Sequence, residues 1–148
     1  MWLFGVCFSV ALVFGGFSDV PKDHWAYEAV TAMSARGYIS GYPDSTFQGE
    51  RPITRFEFAV ALDRFVRDVE KGLKEAPKSP NVKDKNVGVA PTHWAYGSLL
   101  HLLEAGYLPP SSPIFSEKTK QLTPKQLGEA LGKIAAHIAY LHSTPPED

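Results

Sequence analysis

Cysteine is nearly absent from this chain. Of 148 residues only Cys7 carries a thiol, so no disulfide within one chain can form, and stability must come from packing. An excess of either charge is missing too. Fifteen Lys and Arg face 16 Asp and Glu, for a net charge of −1, and the signs are interspersed. Nothing in that balance suggests a basic nucleic-acid surface or an acidic tail. The chain also lacks a run long enough to span a membrane, which takes roughly 20 apolar residues. Its most apolar stretch, Trp2 to Phe14, fits instead the hydrophobic core of a secretory signal peptide. Residues 1–16 are therefore expected to be a processed leader, with Val13 and Gly15 as the small residues before a cut near Gly16. No Lys or Arg precedes the run and no Ala-x-Ala follows it. The competing expectation is a buried N-terminal segment. A cut there would leave a mature protein without cysteine.

Aromatic residues are plentiful, at 12%, and give a small core large side chains to bury. The length permits one domain, or two small repeats sharing a core. The second applies, because the chain contains itself twice. His24-Trp25-Ala26-Tyr27 returns as His93-Trp94-Ala95-Tyr96. Gly37-Tyr38-Ile39 returns in register as Gly106-Tyr107-Leu108, Thr54 as Thr123, and Ala61-Leu62 as Ala130-Leu131. Phe115 matches Phe47 after a shift of one residue. Repeats of this size are supersecondary units that bury their faces against one another.

Each unit reads as helix, loop, helix. In the first, Asp23 is an expected N-cap, and Trp25, Ala29 and Met33 follow at helical spacing beside Val30. Gly37 sits where a left-handed helix stop is expected, with Tyr38 and Ile39 folding back. Gly41-Tyr42-Pro43-Asp44-Ser45 is a turn sequence, and Phe47 is expected to plug into the core. Thr54-Arg55-Phe56-Glu57 fits a capping box that opens the second helix, with Phe58, Leu62, Phe65 and Val69 as its apolar stripe. The second unit repeats this with Thr123-Pro124-Lys125-Gln126, Pro standing where its missing N–H costs nothing, then Leu127, Leu131, Ile134 and Ile138. Its loop, 109–120, lacks the Gly-Tyr-Pro-Asp pattern. The expected organisation is a leader over 1–16, motif 1 over 17–72, a linker over 73–91, a degenerate motif 2 over 92–142 and a tail over 143–148.

No catalytic constellation stands out, since Ser, His and Asp do not fall in a nucleophile-elbow context. One His per repeat, with no Cys or Glu at ligand spacing, makes a poor zinc site, so no cofactor or metal is expected. His24 and His93 are expected to begin a helix and pack beside their Trp. Glu57 is accounted for by the capping box. Arg55 is not, because the box does not need Arg there and the helix dipole disfavours a cation in the first turn. It is either a solvated surface residue or part of an anion site, where helix-start N–H groups and a guanidinium fork both suit a carboxylate. Arg51 lies just upstream and adds to the same field. The matching position in the second unit is Pro124, so that unit would bind an anion poorly. Lys118, Lys120 and Lys125 are partial substitutes, as point charges without the fork. Trp25 and Trp94 suit stacking on a sugar ring, but a Trp opening an amphipathic helix is more often core.

The first unit resembles the S-layer homology motif almost end to end. The residues that carry the resemblance are Phe17-Ser18-Asp19-Val20, His24-Trp25-Ala26, Gly37-Tyr38-Ile39, Gly41-Tyr42-Pro43-Asp44, Phe47 and Ile53-Thr54-Arg55-Phe56-Glu57-Phe58-Ala59. Phe56 and Ser45 stand where the family usually has Ala and Gly. The resemblance implies an all-α fold of small helical repeats. Three motifs typically surround a central bundle, and grooves between them hold secondary cell-wall polymers that often bear a pyruvate ketal. By resemblance, Arg55 would pair with that carboxylate, with Thr54 and Arg51 beside it, while Asp44 and the region of Trp25 shape the groove. The implied protein is an exported, non-enzymatic module held to cell-wall polysaccharide or peptidoglycan-linked polymer. Only two motifs are recognisable here, which leaves pairing with other S-layer-type chains as the alternative. A wall hydrolase is a third reading that lacks a convincing acid pair.

Overall fold

The computed structural model describes residues 16–73, 82, 85–116 and 121–143. The expected leader lies outside them apart from Gly16, as do the middle of the expected linker, Lys118, Lys120 and residues 144–148. The described residues are all-α: α1 (Tyr27–Ala35), α2 (Arg55–Glu70), α3 (Tyr96–Glu104) and α4 (Pro124–Ser143), with a 3-10 turn at Pro113–Phe115. An isolated bridge joins Thr54 to Gln121. The chain divides into two compact units, 1–49 and 50–148. The division falls between α1 and α2, inside the stretch assigned to motif 1.

The first unit is a small aromatic core under one short helix. Phe17, Val20 and Val30 are buried, with Tyr27, Ile39 and Phe47 packed on them; the Phe17 and Phe47 ring centroids are 5.6 Å apart. Phe47 thus plugs the core as its position implied. Gly37 takes φ 73, and Tyr38 N–H returns to Met33 O at 3.0 Å, the left-handed stop expected of that glycine. Two expectations fail. Asp23 does not cap α1, which starts four residues later with Ala26 at the cap and no side-chain cap bond. The His24 ring does the local work instead, its Nδ1 accepting from Ala26 N at 3.2 Å. The buried side of α1 is Val30, while Met33 is 41% and Trp25 92% exposed. The stripe through Trp25, Ala29 and Met33 is therefore turned outward. Residues 24–27 form tight turns before the helix begins, with His24 N bonding Pro21 O and Tyr27 N bonding His24 O. They do not share the phase of α1.

The second unit holds the larger core. Phe58, Ala59, Leu62 and Val66 of α2 pack with Leu99, Leu102 and Leu103 of α3, joined by Tyr107, Leu108, Ile114, Phe115, Ala130 and Ile134. Val87, within the stretch that composition assigns to a linker, is buried in the same cluster. Both capping boxes form. Thr54 Oγ1 accepts from Glu57 N at 3.2 Å, and Glu57 Oε2 accepts from Thr54 N at 2.9 Å. Thr123 Oγ1 accepts from Gln126 N at 3.3 Å, and Gln126 Oε1 accepts from Thr123 N at 3.0 Å. The apolar stripes start as expected and then drift. Phe58 and Leu62 are buried but Phe65 is exposed, its place taken by Val66; Ile134 is buried but Leu131 is exposed, with Ala130 inside instead. A 3.6-residue period lets i+3 and i+4 both stay near one face, and here i+4 won.

Candidate functional site

The site begins at the N-terminus of α2, where four consecutive residues do different jobs. Thr54 closes the cap. Glu57 completes it and also pairs with Arg51, whose Nη2 donates to Glu57 Oε1. The positive field expected of Arg51 is thus partly neutralised by the cap itself. Arg55 is 4% exposed. Its Nη1 donates to Ile114 O at 3.3 Å and to Ser116 O, and its guanidinium carbon lies 4.2 Å from the Phe56 ring centroid. Arg55 is therefore not the solvated surface residue that composition allowed. It braces α2 against the loop of the second repeat, where the missing aspartate turn is replaced by a 3-10 turn, and the carbonyls of Ile114 within that turn and of Ser116 just after it accept the guanidinium. Ser112 supports that turn, its hydroxyl accepting from Ile114 N at 3.4 Å.

Phe56, between Arg55 and Glu57, faces the second His-Trp pair. Its ring centroid is 4.6 Å from His93 and 6.3 Å from Trp94, edge-on to the latter. His93 and Trp94 stack at 5.6 Å. Trp94 is nevertheless 63% exposed. The expectation that a Trp opening an amphipathic helix is core fails for both tryptophans. In each repeat the Trp precedes its helix by two residues, so it sits on a turn that the helical face does not bury. His93 repeats the job of His24, its Nδ1 accepting from Ala95 N at 3.2 Å. Phe56, His93 and Trp94 were not singled out as a group from the sequence. The signal available was the repeated His-Trp-Ala-Tyr, together with Phe at a position where the family usually has Ala.

The remaining sequence-chosen residues lie in the first unit. Asp44 builds the turn that the sequence implied, its Oδ1 accepting from Thr46 N at 3.1 Å and from Thr46 Oγ1 at 2.6 Å. Trp25 stands beside His24, centroids 5.7 Å apart, with its face open. Asp19, which the sequence offered only as part of the resemblance, does more for the loop. Its two oxygens accept from Phe47 N and Gln48 N, each at 2.7 Å. Those two backbone donors hold the Asp19 carboxyl below the usual value. They also fix Gln48 at φ 57. Among the described residues no group of three or more His, Cys, Asp or Glu side chains is placed to hold a metal.

Residues 16–59 match the S-layer homology domain. The chain is 45% identical over 67 residues to "Outer membrane protein SlpA" of Thermus thermophilus, covering 45% of this chain and 7% of that protein. It is 48% identical over 71 residues to "Outer membrane protein alpha" of Thermotoga maritima, covering 48% and 17%. It is 30% identical over 92 residues to "Cellulosome-anchoring protein" of Acetivibrio thermocellus, covering 62% and 20%. The chain thus spans a small fraction of the length of these relatives. No solved structure matches it. Residues 16–59 of the chain are thus similar to the S-layer homology domain.

Proposed function

We propose that this chain is a non-catalytic cell-envelope anchoring module that binds a cell-wall polysaccharide bearing an acidic group, such as a pyruvylated secondary polymer or a peptidoglycan-linked one. The observation that carries the proposal is the pairing of an open indole face with a cationic helix start. Trp94 is exposed beside Phe56 and His93, with Arg51 just before α2 and Arg55 at its first position. Aromatic faces suit sugar rings, and helix-start N–H groups with guanidinium forks suit carboxylates. Thr54 fixes where the helix starts. In the first unit, Trp25 offers a second open indole and Asp44 shapes the neighbouring loop. The names of the relatives, two outer membrane proteins and a cellulosome-anchoring protein, agree with export to the envelope.

A second reading has its own observation. The Arg55 guanidinium is engaged by Ile114 and Ser116 carbonyls, which suits a structural module that assembles with other S-layer-type chains and binds no sugar. Co-sedimentation with purified sacculi separates the two, with and without mild acid to strip ketals. Arg55→Ala alone is a poor probe, because it strips a buried brace. Trp94→Ala removes only an exposed face. On the anchoring reading, Trp94→Ala weakens binding by about tenfold, the equivalent of roughly 1.4 kcal/mol, with an unchanged melting temperature. No binding of the wild-type chain to either intact or acid-stripped walls would favour the assembly reading, and undiminished binding by Trp94→Ala and Trp25→Ala would remove the indoles from the anchoring site.

A further inference from the structure

The two His-Trp turns are built alike and end differently. In each, the histidine Nδ1 accepts from the backbone N–H two residues on, Ala26 in one and Ala95 in the other, both at 3.2 Å. In each, the imidazole lies beside the indole that follows it, with centroids 5.7 Å apart for His24 and Trp25 and 5.6 Å for His93 and Trp94. Yet Trp25 is 92% exposed and Trp94 63%. The turns themselves cannot cause that difference, since His-Trp-Ala-Tyr is the same in both. Its cause is a third ring.

Phe56 supplies that ring from the second position of α2. It lies 4.6 Å from His93, tilted by 49°, and meets Trp94 edge-on at 6.3 Å. Tilted and edge-on pairs with centroids about 4.5–7 Å apart are the arrangements that aromatic rings prefer. Phe56 is itself held from behind. The Arg55 guanidinium carbon stands 4.2 Å from its ring centroid, within cation–π range, and Arg55 Nη1 donates to Ile114 O and Ser116 O. Contacts thus run from loop carbonyls through guanidinium and phenyl ring to imidazole and indole. Phe56 and His93 are half-buried, and of the three rings only Trp94 is exposed. Among the described residues no second ring packs on His24 or Trp25. The second capping box offers no counterpart either, since Lys125 stands where Phe56 does, with its side chain in solvent.

An indole on a bare turn loses rotamer freedom when a ligand packs on it. An indole already wedged by a neighbour has lost that freedom beforehand. We propose, on the anchoring reading, that Phe56 is a positioning residue for the wall ligand: its ring fixes the Trp94 indole in one orientation and makes the Phe56–His93–Trp94 platform, and not Trp25, the principal sugar contact. The requirement is for a ring and not for apolar bulk. An edge-on partner for Trp94 and a face for the Arg55 guanidinium are both properties of the π system, and an aliphatic side chain provides neither.

The test compares the full wild-type chain with Phe56→Tyr, Phe56→Leu and Phe56→Ala by two readouts. The first is the mobility of the Trp94 and Trp25 indole N–H groups, from nitrogen relaxation without any ligand. The second is the dissociation constant for purified sacculi, from co-sedimentation. In wild type the Trp94 indole should be more rigid than that of Trp25. Phe56→Leu and Phe56→Ala should bring it to the mobility of Trp25 and weaken sacculus binding about threefold to tenfold, while Phe56→Tyr keeps both wild-type values. A side chain that only filled space would be replaced by Leu without loss. Wild-type rigidity and affinity in Phe56→Leu, or equal mobility of the two indoles in the wild-type chain, would overturn the proposal. Sacculi left unbound by every chain, wild type included, would remove the anchoring reading and the affinity claim with it; the indole mobilities would still decide whether Phe56 fixes Trp94. Where Phe56→Ala fails to fold, Phe56→Tyr and Phe56→Leu carry both readouts.

Discussion

The helices α1 and α3 are the same piece of backbone placed in two environments. Each has nine residues and starts 69 positions from the other. Their caps, Ala26 and Ala95, sit at φ −92 and −90. Their His-to-Ala cap bonds are both 3.2 Å, and their stop glycines, Gly37 and Gly106, have φ 73 and 80. Their burial is unlike. In α3, Leu99, Leu102 and Leu103 are buried against α2. In α1 only Val30 is buried, and Met33, the counterpart of Leu102, is 41% exposed. Local sequence therefore builds the turn, the helix and its stop, whereas the core depends on a second helix laid alongside. For α3 that helix is α2, which the sequence assigns to the other repeat. The repeat is the unit of sequence, and the α2–α3 pair across the repeat boundary is the unit of packing.

Substitutions at matched positions sharpen this contrast. Leu102→Ala should cost about 2–5 kcal/mol, as truncation of a fully buried leucine does, while Met33→Ala should cost less than about 1 kcal/mol; denaturant unfolding of both variants checks it. Equal losses would show that α1 is as well covered as α3. Next in size is Gly41→Ala. Gly41 has φ 61, and a Cβ there would meet the Phe17 ring and lie 2.8 Å from Thr46 O. A loss of about 2–3 kcal/mol is expected in the first unit, from backbone strain added to the clash, against about 1 kcal/mol for Gly37→Ala, where the space is open. Hydrogen exchange of unit 1 amides distinguishes them. Acid should then act on the second unit through Asp63. Burial pushes its carboxyl up, but hydrogen bonds from His101, Ser98 and Arg67 outweigh burial and leave it below the usual value. Its contribution is complete above about 3.9, the ordinary carboxyl value, and is lost as pH falls through the lower folded one. Asp63→Asn should flatten that acid limb in a melting series. The smallest effect is a gain. Ser45 stands at φ 64 where the family usually has Gly, so Ser45→Gly should raise stability by up to about 1 kcal/mol, read as a shift in the thermal midpoint.

What was legible in the sequence was local. Thr54 and Thr123 mark helix starts because a capping box is completed within four residues. Gly37 marks a stop because a left-handed position favours glycine whatever lies around it. The turn at Asp44 and the plug at Phe47 belong to the same class. What was not legible depended on distant chain. Arg55 looked like a surface cation or anion ligand because its acceptors, Ile114 and Ser116 carbonyls, lie some sixty positions away. Phe65 and Leu131 were placed one step out of phase, since the partner helix decides which edge of an apolar stripe is covered. Asp63 carries a signal of its own in the sequence. A carboxylate flanked by Ala59, Leu62 and Val66 on an otherwise apolar face implies polar partners on the facing helix, and Ser98 and His101, three residues apart, sit where one face of α3 supplies them.

The most direct test of the account is the unfolding of two fragments, residues 50–148 and residues 81–142. The first retains α2 with α3 and α4; the second is the second repeat alone. The account requires the longer fragment to melt cooperatively and the shorter to show no cooperative transition, because Leu99, Leu102 and Leu103 lose the face that buries them. A cooperative melt of residues 81–142 would contradict it, and would return the unit of packing to the repeat.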